Sequence, residues 1–173
     1  MAAPPEQAEV AAFLRDLAGS DPLETHISLV FVGTDTVWKL KKAVRLAFLD
    51  FTSVGSRRRF TLRELELNQA AAPGLYRDVV PVVRRPDGAL SFGETDDDAA
   101  IDWVLRMARV PSDDFLDKIA SAGRLTPPLL DALGDTVATF HSNLAPVRGT
   151  DPASNAQCGA RQRAVGTRCR FAG

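Results

Sequence analysis

The sequence predicts an α+β protein: an antiparallel sheet of about five strands with a helix laid on it, followed by further helices. Three observations carry this reading. Apolar residues recur with period two in segments 24–32, 36–44, 79–84, 89–92 and 101–107, whereas beyond Pro111 the period is that of a helix. The turns at 33–36 and 85–88 have hairpin length and composition, which makes neighbouring strands antiparallel. Finally, Thr36-Val37-Trp38-Lys39-Leu40-Lys41-Lys42 alternates cation with hydrophobe, sending Val37, Lys39 and Lys41 to one sheet face and Trp38 and Leu40 to the other.

Each element follows from local chemistry. Val10, Phe13, Leu14 and Leu17 lie at i, i+3, i+4 and i+7, so residues 6–19 form a short amphipathic helix stopped by Gly19. Segment 24–32, with Ile27, Leu29 and Phe31 on one side, is a half-buried strand with a kink. After the lysine strand, the connector 45–51 is expected to pin itself to the sheet through Leu46, Phe48, Leu49 and Phe51. Thr52 or Ser53 caps a helix over 55–72, which ends before Pro73-Gly74. On that helix Phe60, Glu64, Leu67 and Ala71 share a stripe, with Leu62 and Leu65 forming a second patch, which predicts a helix sandwiched between two layers.

Pro81 gives strand 79–84 an edge position or a bulge. Arg85-Pro86-Asp87-Gly88 turns the chain back into 89–92, an acidic loop fills 94–98, and 101–107 is the last strand. Asp113 or Asp114 opens a short helix to Gly123. Thr126-Pro127 then opens a longer one, whose Leu129, Leu130, Leu133, Val137, Phe140 and Leu144 fall in one core-facing sector.

Composition narrows the function classes. A 45% hydrophobic and 25% charged chain of 173 residues suits a soluble globular protein. Net charge of −1 and a pI near 6.1 give no reason to expect nucleic acid or anionic membrane as partner. No apolar run reaches the length of a membrane span and no signal peptide opens the chain, so the cytoplasm is the expected compartment. Five arginines against one aspartate, together with Cys158 and Cys169, set residues 148–173 apart as an irregular basic tail, expected to be disordered. An abrupt gene end or translation in another reading frame is the expected origin of such a composition, with a natural basic tail as the alternative. The cysteines read as free thiols, too few for a closed zinc site.

The candidate chemistry lies on the lysine strand. A lysine on a sheet face needs an anion, and Glu64 is a carboxylate inside an otherwise apolar stripe, costly unless paired. Glu64 suits that partnership better than Glu66, which points away. The competing description is a solvated lysine pair on an edge strand with a glutamate reaching to water. His26, on its strand, reads more readily as a structural histidine than as a catalytic base, as does His141.

The motifs Glu24-Thr25-His26-Ile27-Ser28, Val37-Trp38-Lys39-Leu40-Lys41-Lys42, Phe48-Leu49-Asp50-Phe51-Thr52, Glu64-Leu65-Glu66-Leu67-Asn68 and Ala72-Pro73-Gly74-Leu75-Tyr76 follow one another in order. Together they resemble the N-terminal part of a bacterial group of aminoglycoside phosphotransferase-like proteins, often fused to a P-loop ATPase domain. The resemblance covers residues 23–146 and implies the small lobe of a kinase-like fold over 1–107, with a hinge and first large-lobe helices over 108–147. It further implies ATP as ligand, held by Lys39 or Lys41, with Glu64 orienting the lysine and the backbone of Met107, Ala108 and Val110 meeting adenine. An intact relative would transfer phosphate, with magnesium, to a small hydroxylated substrate.

The chain departs from that pattern in one respect. Phosphoryl transfer on this fold needs a His-Gly-Asp or His-Arg-Asp loop, a nearby asparagine and a second aspartate for the metal, and none occurs in this sequence. No catalytic or metal-binding residue is therefore assigned, and catalysis by this chain alone is not expected. The rival expectation is a non-catalytic interaction module that self-associates or binds a partner protein through Leu133, Val137 and Phe140.

Overall fold

The computed structural model describes residues 3–94 and 98–144. The chain divides into a unit ending at Leu125 and a second beginning at Thr126. The first is a three-layer α+β arrangement, a helix on each face of an antiparallel sheet. Its elements run in the order of a single 3-10 turn, Pro5–Gln7, helix α1 (Ala8–Ala18), strands β1 (Leu23–Glu24), β2 (Ser28–Val32) and β3 (Thr36–Lys41), the small hairpin β4 (Arg45–Leu46) and β5 (Leu49–Asp50), and helix α2 (Val54–Gln69). Strands β6 (Tyr76–Arg84), β7 (Leu90–Phe92) and β8 (Ala100–Ala108) follow, then a 3-10 turn at Ser112–Asp114 and helix α3 (Leu116–Ser121).

The main sheet has six strands in the order β1-β2-β3-β8-β6-β7, one more than expected because residues 23–32 break into two paired strands. The break is local: Thr25 Oγ1 accepts from the Ser28 amide and donates to the Ser28 carbonyl, closing a turn where a single strand with a kink was expected. Register places Lys39 opposite Val30 and Leu105, and Lys41 opposite Ser28. At the β2–β3 hairpin only glycine fits, since a Cβ on Gly33 would lie 2.7 Å from the Trp38 ring. Pro81 lies inside β6, just short of the residues that pair with β7, and the ladder to β8 is irregular one step further on, at Val82/Val83.

Period two divides the core between the faces. Leu29, Phe31, Leu40, Val80, Val82 and Val104 meet Val10, Ala11 and Leu14 of α1. On the opposite face Val79, Trp103 and Leu105 meet Val54 and Leu65 of α2. Each of the larger side chains so buried contributes about 1.5–3 kcal/mol. Helix α1 ends as its sequence predicts, with Gly19 in the left-handed region at φ 69°.

Helix α2 differs from expectation. Of the predicted stripe, Phe60, Leu67 and Ala71 are exposed, and so is Leu62 of the second patch; only Leu65 packs on the sheet. Within the first unit the described residues do not sandwich the helix. Its inner face is mostly polar, with Arg57 and Thr61 buried and Glu64 half-buried, because the sheet below offers ionic partners as well as an apolar floor. Ser53 is the cap, its side chain accepting from the Ser56 amide. The connector before it also departs from expectation: Phe51 is buried, but Leu46 and Phe48 stand exposed on the β4–β5 hairpin.

In the second unit, helix α4 runs over Pro127–Asn143 with proline in its first turn. Its Leu129, Leu130, Leu133 and Val137 are exposed. The expected tail, with both cysteines, and most of the acidic loop lie outside the described residues.

Candidate functional site

Strand β3 and helix α2 bring three of the predicted site residues together. Alternation puts Lys39 and Lys41 on the α2 face, and the helical rise puts Glu64 above them. Lys39 Nζ donates to Glu64 Oε1 and Lys41 Nζ to Oε2, each at 2.6 Å, so each carboxylate oxygen holds one ammonium. Such charge-assisted bonds are the stronger kind. Burial alone would raise the Glu64 carboxyl, but the two lysine hydrogen bonds outweigh it and hold the group below the usual carboxylate range.

Two cations on one anion leave a net positive charge, and exposure distinguishes the cations. The Lys39 side chain is 28% accessible and that of Lys41 only 7%, with the Phe51 ring centroid 5.2 Å from its ammonium. Lys39 can therefore meet an anion from solvent, while Lys41 anchors Glu64 from below. Glu66 plays no part, being exposed and paired with Arg63.

Sequence reasoning missed the polar network beneath this cluster. Asp102, 1% exposed, accepts from Arg57 Nε at 2.8 Å and from Gln7 Nε2 at 2.7 Å. Arg57 also donates to the carbonyls of Phe51 and Thr52. The signal was present, since Asp102 interrupts an apolar strand and a lone acid there requires a cation. Lys42, facing away from Lys41, donates to Glu24 at 2.7 Å, and this bond holds the Glu24 carboxyl below its ordinary value. With Thr25 and His26 the pair lines a recess of about 310 Å³. His26 is exposed and makes no side-chain hydrogen bond to another described residue.

The expected adenine-binding backbone is partly engaged already. Met107 and Ala108 end β8 between β3 and β6, and the Ala108 amide donates to Leu75 O at 2.8 Å. Val110 lies past the strand and makes no backbone hydrogen bond to another described residue. Leu133, Val137 and Phe140 all lie on α4, remote in sequence from the cluster, with Val137 46% accessible. Among the described residues no three His, Cys, Asp or Glu side chains are placed to hold a metal, and no helix is long and apolar enough to cross a membrane.

No family model matches the chain, and no solved structure matches it. Uncharacterized proteins of Mycobacterium bovis and Mycobacterium tuberculosis are similar to it, each 30% identical over 121 residues, or 70% of this chain. The chain spans 22% of the length of these curated relatives.

Proposed function

We propose that the sheet unit is the ATP-binding lobe of an aminoglycoside phosphotransferase-like, kinase-like protein, with Lys39 as the residue that meets the phosphates. The observation that carries this reading is the Lys39–Glu64–Lys41 cluster, a carboxylate shared by two ammonium groups with one of them open to solvent. A cluster with surplus positive charge, on the sheet face that also carries the paired Val37 and Met107, suits a ligand with an anionic chain and an apolar head. Glu64 already holds the Lys39 ammonium, so that less side-chain entropy is lost when an anion arrives. The backbone of Val110 is the best placed of the three hinge residues to meet the base. The lobe binds nucleotide weakly and without magnesium, and phosphoryl transfer to a small hydroxylated substrate belongs to an intact relative that supplies the catalytic aspartates.

Titration with a non-hydrolysable ATP analogue in magnesium-free buffer tests this. The expected Kd is about 0.1–1 mM. Lys39→Ala should abolish binding with little change in Tm, whereas Lys41→Ala should lower Tm as well. Absence of binding by the unaltered chain would overturn the reading.

One observation favours a second reading, a docking module: the α4 stripe of Leu129, Leu130, Leu133 and Val137 is exposed along its length. It predicts an oligomer or a partner complex that V137E dissolves, read by sedimentation equilibrium. A monomer at all concentrations, with no captured partner, argues against it.

A further inference from the structure

Two elements carry the cluster, β3 and α2, and one side chain is bonded to the first and a single step removed from the second. Gln7 closes the turn before α1 and is 1% exposed. Its Oε1 accepts from the Ala43 amide at 2.6 Å, and its Nε2 donates to the Lys41 carbonyl at 2.9 Å and to Asp102 Oδ2 at 2.7 Å. The other oxygen of Asp102 holds Arg57 of α2. Most of what a glutamine can donate and accept is thus spent on the main chain around the cluster's buried lysine and on the acid that grips the helix.

We propose that Gln7 is a positioning residue for the anion site, seating β3 and α2 at the separation at which Glu64 meets both lysines. Its functional meaning rests on the nucleotide reading, although the geometry does not. Arg57 and Glu64 lie about two turns apart on the inner face of one rigid helix, so a slide or roll at Arg57 is carried to Glu64. Without Gln7, the buried Ala43 amide is orphaned and Asp102 is left to Arg57 and the Trp103 amide, so the network must shift to re-form its bonds. Hydrogen bonds as short as those of Glu64 do not survive a displacement approaching 1 Å.

The test is a carboxyl-detected NMR titration of Glu64 in the full-length chain. The charged groups facing Glu64 are Lys39 and Lys41 of β3, while Asn68 of its own helix bonds only the Glu64 carbonyl. In Gln7→Met, which keeps length without the hydrogen bonds, the midpoint should rise by roughly half a pH unit or more as the lysines lose contact. Arg57→Lys, which disturbs the same path from the helix side, should do likewise. Val10→Ala, a core truncation in α1 outside the network, should lower Tm and leave the midpoint in place. An unmoved midpoint in Gln7→Met, or in Arg57→Lys if the first variant does not fold, overturns the proposal. So does an equal shift in Val10→Ala, which would mark general loosening. Nucleotide titration in parallel separates the two readings: if the unaltered chain binds none, the lobe reading falls while the Glu64 midpoint still decides on Gln7.

Discussion

At the scale of single residues, Glu64 makes the molecule sensitive to acid. Its carboxyl is held below the ordinary value in the folded state, so the stability it supplies is complete above the unfolded pKa and drains away as pH falls through the folded one. The slope of stability against pH between about 5 and 3 should therefore flatten in Glu64→Gln, as measured by urea melts across that range. Thr61, one turn away, presents the opposite case. Its hydroxyl is buried without a hydrogen-bond partner among the described residues, so Thr61→Val should be neutral or stabilise the fold by up to about 1 kcal/mol in thermal melts. The lysines and Glu64 were legible in the sequence because a cation on a sheet face and an acid in a helical stripe each break a pattern. Which lysine reaches solvent was not, since both obey the same alternation, and the Phe51 ring that lies against Lys41 comes from another part of the chain. Gln7 was invisible, because a neutral amide before a helix breaks no pattern.

At the scale of elements, α2 shows what periodicity can mislead about. A helix is expected to bury its most apolar stripe, and in α1 that rule holds for Val10 and Leu14 while Leu17, at the end of the predicted stripe, is exposed. For α2 it chose Phe60 and Leu67 over Arg57 and Thr61, because the arc of a helix that docks by ion pairs reads as solvent-facing. The helix offers a cation to the sheet at one end and an anion at the other, an order that opposes sliding or reversal. A double-mutant cycle on Arg57→Ala and Asp102→Ala should return a coupling of about 2 kcal/mol or more, with each single change costing about 3–5 kcal/mol because it strands a buried charge. Denaturant unfolding checks this, and a coupling near zero would mean that the Arg57–Asp102 pair does not help to hold the helix. Strand positions were the most readable part of the chain, and the hairpin at Gly33 was placed from turn chemistry. In segment 24–32 the expected kink is a full split at Thr25, because a side-chain-closed turn leaves alternation nearly intact.

At the scale of the whole molecule, both buried clusters are built from residues of the unit that ends at Leu125. A chain cut after Leu125 should therefore keep a single cooperative melt within about 3 °C of the full-length Tm, followed by circular dichroism. The α+β class and the antiparallel sheet were legible because period and turn length are local properties. The packing of α1 and α2 on opposite faces was not, since nothing in a strand's alternation names the helix each face will meet. One feature of the sheet bears on how the protein behaves in a crowded solution. Its outermost strands, β1 and β7, have two and three residues, whereas β6 and β8 inside have nine each. Each of these short strands offers an incoming strand few backbone partners, and Glu24 adds a charge to one of them, but residues 76–81 of β6 run on beyond those that pair with β7. Strand addition is thus least opposed along that stretch of β6, where Pro81, with no amide proton to give, removes one backbone donor.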